Sequence, residues 1–549
     1  MLSRDAVRSA AGAWLAYTLL AAVLFHPLVA RLSSHVLADD VFIEPGRSDA
    51  YNFLWTYWWI QKSVVAGHNF YQCDWVLPPT GANLYFHTHV VLPTLLTLPL
   101  GMLFGPVAGY NSMILLLLSG AAGVYRTFLR RTFGLRPAAA FVAGAMFGFS
   151  PYFVFKTHAH VNLVGGAFWG GCLGVLVHGY MRDRFGWRPG LLFSLCLWAT
   201  FWTSFVEFFA LLVVCSVIVI AFEIHRVLRK RPGEWRSRLA FFAMVIPGFV
   251  SLTSLVNAPA ASTVDVAPFP SIQLTDLLIP PRLSLWGNAF KASEFEYWGS
   301  HLPIVFVLLA VLGYVAAREP EPLRIDLVPL LVVGITLALL TLNPREIPIA
   351  WIRKLPMGTG FRVAGRFLPF FYFFLLIPAA YGANAVLGLK GRLARSVALG
   401  ALVLTSFAEL FPSKLSPSAV AKFELPTQVA AEGAHGVFTL IIPRGPYTNQ
   451  IDTYQVSMNV PVVQLSYLAR EDPQTAAIRS KRFPALYSSP REFSERLLAE
   501  MKDANVHYVL FEDRQQYETA RFRGQTVAEN AGVILVRYPP NASNLTSVK

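Results

Sequence analysis

Gly46-Arg47-Ser48-Asp49-Ala50-Tyr51-Asn52-Phe53-Leu54-Trp55-Thr56-Tyr57-Trp58-Trp59 lies in a long segment, 33–91, between the first two membrane-length apolar runs of a 549-residue chain. The segment continues through a Pro79-Thr80-Gly81 turn to His87-Thr88-His89. Connections between helices of a bundle are usually short. A long one that opens on an isolated carboxylate, continues as an aromatic helix and ends in a histidine pair is expected to be a working surface.

Outward from that stretch the chain is 54% hydrophobic and only 14% charged, where soluble proteins run to about a quarter charged. Its apolar residues fall in runs near the roughly 20 residues that cross about 30 Å of hydrocarbon. About eleven such runs occur, near 11–32, 108–129, 138–155, 161–181, 190–204, 206–224, 239–257, 302–317, 325–342, 366–387 and 396–411. The expectation is an α-helical polytopic membrane protein. A shorter stretch, 92–104, is broken by Pro93, Pro99 and Gly101 and is expected to be a re-entrant or interfacial helix. The first run follows Arg4 and Arg8 and has no small-residue cleavage site at its end, so it is expected to be a retained span.

The net charge of +14 does not point to nucleic acid, because the basic residues cluster in short connections. Arg126, Arg130, Arg131 and Arg136 form one group, and Arg182, Arg184 and Arg188 a second. Arg226, Arg229, Lys230, Arg231, Arg236 and Arg238 form a third, and Lys390, Arg392 and Arg395 a fourth. Each group falls on the same side when the runs alternate, as the positive-inside rule demands. That places the N-terminus in the cytoplasm of a cell with the protein in its inner (plasma) membrane. The outer loops are then 33–91, 258–300 and 343–365 within a membrane domain of residues 1–412. After Pro412 the charges become mixed and no membrane-length run occurs. Residues 413–549 are expected to form an extracytoplasmic soluble α/β domain, with strands at 437–442, 506–511 and 533–538 and a helix at 490–503. Cys73, Cys172, Cys196 and Cys215 show no CxxC spacing, which argues against a zinc site or a disulfide framework.

The candidate chemistry gathers in the outer loops. Asp49 has an ordinary reading as a helix cap and a functional one as a general base, since a carboxylate at a low-dielectric surface gains basicity. Tyr51, Leu54, Trp55 and Trp58 at helical spacing are expected to form an interfacial helix holding it at headgroup depth. Asp39-Asp40 is a second carboxylate pair in that loop, more simply a solvated one. His87 and His89 point to one side of an extended segment and are candidates for substrate contact. Lys156, His158 and His160 cluster at the outer end of a run, where an anion contact is plausible. Arg362 and Arg366, at i and i+4, are expected on one helix face, a pair suited to phosphate. Asp276, Glu294, Glu296 and Trp298 are candidates for sugar contacts, and Glu207 is a charge close to the membrane. No metal-ligand set is evident.

The stretch from Gly46 to Trp59 resembles the start of bacterial GT-C-type integral membrane glycosyltransferases and their uncharacterised relatives. So do Phe147-Gly148-Phe149-Ser150-Pro151-Tyr152 with His158 and His160, the Phe361-Arg362 to Arg366-Phe367 element, and the tail from Leu498 to Phe511. The resemblance implies a GT-C-like fold whose first outer loop supplies a carboxylate base, here Asp49. It departs in one place, where Ser48-Asp49 stands for the family's frequent Gly-Asp. It further implies a polyprenyl-phosphate-linked sugar as donor, membrane lipid as surroundings and an extracytoplasmic acceptor, with a divalent cation compatible but not required. The expected chemistry is inverting transfer, with Arg362 and Arg366 meeting the departing phosphate. The competing expectations are a lipid or oligosaccharide transporter, disfavoured by polar groups in loops rather than at the midplane, and a non-catalytic scaffold for cell-envelope assembly.

Overall fold

The computed structural model describes residues 4–38, 48–78, 80–84, 87, 89–230, 235–256, 272, 274–278, 299–316, 327–343, 346–355, 361, 363–410, 415, 417–420, 423, 425–442, 451–463, 477, 480–488, 493–520, 522, 524–530 and 533–538. Helices occupy each of the eleven apolar runs. They are α1 (Arg4–Leu24), α4 (Pro106–Phe133), α5 (Pro137–Gly148) with α6 (Pro151–Lys156), α7 (Gly166–Arg182), α8 (Trp187–Phe201) and α9 (Phe205–Leu228). They continue as α10 (Trp235–Val256), α11 (Ile304–Ala316), α12 (Leu327–Leu342), α13 (Leu368–Leu387) and α14 (Arg392–Leu410). Between α1 and α4 lie α2 (Asp49–Ala66) and α3 (Val91–Phe104).

Local chemistry sets these boundaries. α4 starts with Pro106 in its first turn and ends at Gly134, which takes the left-handed conformation that favours glycine. Ser150-Pro151 breaks the 137–156 run into α5 and α6, because proline cannot extend the hydrogen-bond ladder of the preceding helix. Among the described residues, five helical stretches are long and apolar enough to cross a membrane: Pro106–Phe133, Pro137–Lys156, Val161–Arg182, Phe205–Leu228 and Ala364–Leu387. Shorter apolar stretches of 10–17 residues include Ser9–Leu24, Val91–Phe104, Ile304–Ala316 and Val328–Leu342. α3, at 14 residues, rises about 21 Å, folds back on α4 at Gly105, and exposes Leu95, Leu96, Leu100, Leu103 and Phe104. Large apolar side chains are likewise exposed on α1 (Leu15, Leu19), α8 (Leu192, Leu195), α9 (Ile220, Ile224) and α11 (Leu308, Val311). This is an integral membrane protein, whose outer surface is apolar because hydrocarbon faces it. α11 and α13 approach so closely that a Cβ on Gly313 would collide with Pro378 O, and one on Gly382 with Leu309 O.

The bundle has two chemically different ends. At one, Arg126 Nη2 donates to Ser9 Oγ (3.1 Å) and Arg182 Nε to Thr132 O (2.8 Å). There Arg238 and Arg226 close on Glu223, joining α10 to α9. At the other, Ser48 Oγ reaches His158 O, Leu92 N donates to Trp202 O, and Glu409 Oε1 accepts from Ile304 N at 3.0 Å. The tight turn between α8 and α9 lies at this second end.

The C-terminal sheet contains β3 (Phe438–Ile442), β4 (Val506–Phe511), β5 (Gln525–Asn530) and β6 (Val533–Arg537) in the order β3-β4-β6-β5. β3 and β4 are parallel and the other pairs antiparallel. Leu440, Val509, Phe511 and Val536 pack with Leu497 and Met501 of α16 (Glu495–Asp503). Ser494 caps that helix by accepting from Leu497 N. β5 has no counterpart in the sequence reading, because Gln-Thr-Val-Ala-Glu-Asn on a half-exposed edge lacks an apolar alternation. A separate ladder pairs β1 (His35–Leu37) with β2 (Pro417–Ala419) and ties the first loop to the chain beyond α14.

One local expectation changes. α2 is not an interfacial helix: Ala50 through Ile60 are all buried. It is covered by α3, α4 and the helix α15 (Ile451–Met458) of the C-terminal region. A second concerns the start of the helix expected to carry Arg366; Arg362 lies outside the described residues. Val363 is extended, Ala364–Phe367 is a 3-10 turn, and α13 begins at Leu368. Pro369 has no N–H to donate to residue 365, so the regular helix cannot start earlier.

Candidate functional site

The N-terminus of α2 is built by Ser48. With an extended backbone, its hydroxyl accepts from Ala50 N at 3.2 Å and donates to His158 O at 3.0 Å. Ser48 therefore caps the helix. Asp49, in the first helical turn where the helix dipole favours a negative charge, turns its Oδ2 to His160 Nε2 at 3.3 Å. The Asp49 side chain is 46% exposed and that of His160 21%. The loop carrying His160 is itself fixed. His158 is buried, and its Nδ1 lies 3.1 Å from Val154 O, which requires a proton on that nitrogen. Burial pushes the His158 imidazole down to about 4. Its Nε2 is enclosed without a hydrogen-bond partner among the described residues. Lys156 is buried at the end of α6, with its ammonium 5.8 Å from the Tyr152 ring centre and 5.7 Å from that of Phe155.

His87 and His89 lie elsewhere. His87 sits edge-on to Trp55 (6.1 Å) with Nε2 3.4 Å from Thr56 Oγ1, about two helical turns along α2 from Asp49. His89 Nε2 is 2.6 Å from Leu84 O, and the two imidazoles are 5.4 Å apart. Burial holds His87 well below the ordinary histidine range, with His89 adding to the effect, and brings His89 down to about 4. Trp58 is buried among Trp55, Trp59 and Trp75. Arg366, half-buried in its 3-10 turn, follows Phe361, which packs on Phe209 of α9 at 5.8 Å. Arg366 and Asp49 thus lie at the same end of the bundle. Asp276 is buried beside Leu277, whose carbonyl accepts from Leu302 N at 2.7 Å. Arg362, Glu294, Glu296, Trp298 and Asp39-Asp40 lie outside the described residues.

Glu207 is fully engaged. Ser204 caps α9 by accepting from Glu207 N, and the carboxylate accepts from Gly165 N and Trp169 Nε1, both at 3.1 Å. It closes the N-terminus of α7 from a neighbouring helix. Glu409 does the same for α11 through Ile304 N and Val305 N, with the buried His301 Nε2 3.8 Å from it. The Ser-x-x-Glu capping pattern at 204–207 is visible in sequence; nothing in sequence marks Glu409 or His301. Among the described residues no three His, Cys, Asp or Glu side chains are grouped so as to hold a metal ion.

No family model matches the chain, and no curated protein does. Solved structures do. The arabinofuranosyltransferase AftD from Mycobacteria aligns at 14% identity and TM-score 0.59 over 98% of this chain and 40% of its own. A mutant of that enzyme aligns at 14% identity and TM-score 0.56 over 95% and 41%. An oligosaccharyltransferase from Archaeoglobus fulgidus aligns at 11% identity and TM-score 0.44 over 90% and 69%, too loosely to carry an argument. This chain spans about two fifths of the AftD structures. It shares their fold, and the GT-C-like architecture with a C-terminal sheet domain, expected from the sequence, is the one observed.

Proposed function

We propose that this protein is a membrane glycosyltransferase that moves a sugar from a polyprenyl-phosphate donor to an acceptor hydroxyl outside the cell membrane, with inversion. One observation carries the reading most: Ser48 caps α2, and the Asp49 carboxylate beside it is half-exposed and faces His160. A carboxylate so placed is available as a base. The fold shared with AftD supports the reaction class.

The Arg-rich end of the bundle is cytoplasmic on the positive-inside rule. Asp49, Arg366 and the sheet domain then face outward from the plasma membrane, and the N-terminus faces the cytoplasm. The chain divides near residue 412 into a membrane domain and an extracytoplasmic one. In the reaction Asp49 takes the proton of the acceptor hydroxyl as that oxygen bonds to the anomeric carbon. The anomeric carbon–oxygen bond to phosphate breaks with its electron pair leaving on the phosphate oxygen. Arg362 and Arg366 meet that charge; no separate acid is needed, since phosphate is a competent leaving group. Lys156 and His158 back the site beneath His160, and Glu296 contacts the sugar. His87, His89 and Trp58 act through the packing of α2. Incubation of purified protein with a panel of polyprenyl-phosphate sugars tests this: turnover to free polyprenyl phosphate, lost in Asp49→Asn, is the expected result. Full turnover in that variant removes Asp49 from the mechanism.

A further inference from the structure

α2 is clasped by a helix 400 residues away in sequence. Gln455 of α15 is buried, and its side-chain amide is engaged on both atoms. Trp55 Nε1 donates to Gln455 Oε1 at 2.7 Å, while Gln455 Nε2 donates to Trp75 O at 3.0 Å and to Val460 O at 3.1 Å. The same Trp75 carbonyl accepts from Val462 N at 2.9 Å, and Leu77 N donates to Val463 O at 3.2 Å. Val462 also bridges to Thr439 of β3, so the first outer loop and the sheet domain share one continuous run of backbone hydrogen bonds. Lys62 Nζ, at the far end of α2, donates to Asn459 Oδ1 at 3.1 Å and lies 3.7 Å from the centre of the Trp75 ring.

We propose that Gln455 is a positioning residue for the transfer reaction: through Trp55 it fixes the rotation of α2, and with it the aim of Asp49. The sheet domain is then an obligatory part of the active site rather than a separable acceptor-binding module. This rests on the reading of Asp49 as the base. The physical case is directional. Aromatic packing of Trp55 against Trp59 and His87 tolerates rotation of the helix, whereas a hydrogen bond to the indole N–H does not. Trp55 stands six residues, about 9 Å, along the helix from Asp49, so a turn imposed at one reaches the other.

The test uses the full-length protein in detergent or lipid nanodiscs. Gln455→Leu leaves the Trp55 N–H and the Trp75 and Val460 carbonyls without these partners. Per folded molecule, turnover should fall about tenfold or more with the donor KM unchanged, since small displacements of a catalytic group are costly. Amide exchange over residues 49–60 should rise while that of α4 and α7 does not. Gln455→Glu keeps an acceptor for the indole and should recover part of both. Should Gln455→Leu fail to fold, Trp55→Phe removes the same bond from the other side and must give the same pattern. Wild-type exchange over 49–60 with wild-type turnover in these variants overturns the proposal. Raised exchange in a protein with no transferase turnover even as wild type retires the reaction and leaves only the clasp. Turnover without raised exchange retires the clasp.

Discussion

Two helix starts at the same end of the bundle, that of α2 and that of α9, use the same residue types to opposite effect. Each is capped by a serine, Ser48 or Ser204, and each carries a carboxylate in its first turn. At α9 the carboxylate turns inward. Glu207 is 3% exposed and accepts from Gly165 N and Trp169 Nε1. At α2 the carboxylate turns outward, 46% exposed, against an imidazole. A carboxylate that closes another helix is a structural part, and one that stays half-exposed keeps its access to solvent. On the function proposed above, the chemistry falls to Asp49 and the stability to Glu207.

The largest effect should separate the two outright. Asp49→Asn is expected to lower turnover by about 10³-fold, within the usual range for loss of a general base, while changing stability by less than about 0.5 kcal/mol, as for exposed sites. Paired kinetics and thermal unfolding measure both; a comparable loss of stability would erase the contrast. Glu207→Ala should do the reverse. Two buried N–H groups lose their acceptor, at a cost of about 2–4 kcal/mol, read as a lowered unfolding midpoint, with turnover per folded molecule within a few-fold of wild type. An unchanged midpoint would mean that α7 and α9 do not depend on this link.

Acid should then act on the buried histidines at this end of the bundle. Burial lowers His158 and His89 to about 4, below the roughly 6.5 of an unfolded histidine. The unfolded chain therefore takes up these protons first as pH falls. Their contribution to stability is complete above about pH 6.5 and drains away toward pH 4. The unfolding midpoint should drop between pH 7 and pH 5, with exchange rising at 154–160, and His89→Gln should flatten the profile. A midpoint that rises on acidification contradicts the assignment. The smallest effect is expected from His160→Gln. An amide that still reaches Asp49 should cost about tenfold in turnover, and no loss at all would make the imidazole a bystander.

The fold was largely legible because its signals are local. Apolar runs mark the helices, Arg clusters mark one end, and Phe438–Ile442, Val506–Phe511 and Val533–Arg537 read as strands from β-branched and aromatic residues alone. Much of the site was not. Asp49 was visible as an isolated carboxylate, but whether it or Ser48 caps the helix depends on which side chain turns back, and that is decided by His158, 110 residues away. The tryptophan stripe of α2 has the spacing of an interfacial helix, and the cover supplied by α15 together with α3 and α4 makes it a core. Arg362 and Arg366 have helical spacing too, and Pro369 a few residues on sets where the helix starts. Gln455 and Glu409 carry no pattern whatever, since their partners are brought to them by tertiary packing.

The most direct test of the central claim is release of free polyprenyl phosphate from polyprenyl-phosphate sugars by the purified full-length protein, compared between wild type, Asp49→Asn and Glu207→Gln normalised to folded material. The account predicts turnover in wild type and Glu207→Gln and none above background in Asp49→Asn. Equal turnover in wild type and Asp49→Asn, or its loss only in Glu207→Gln, would contradict it.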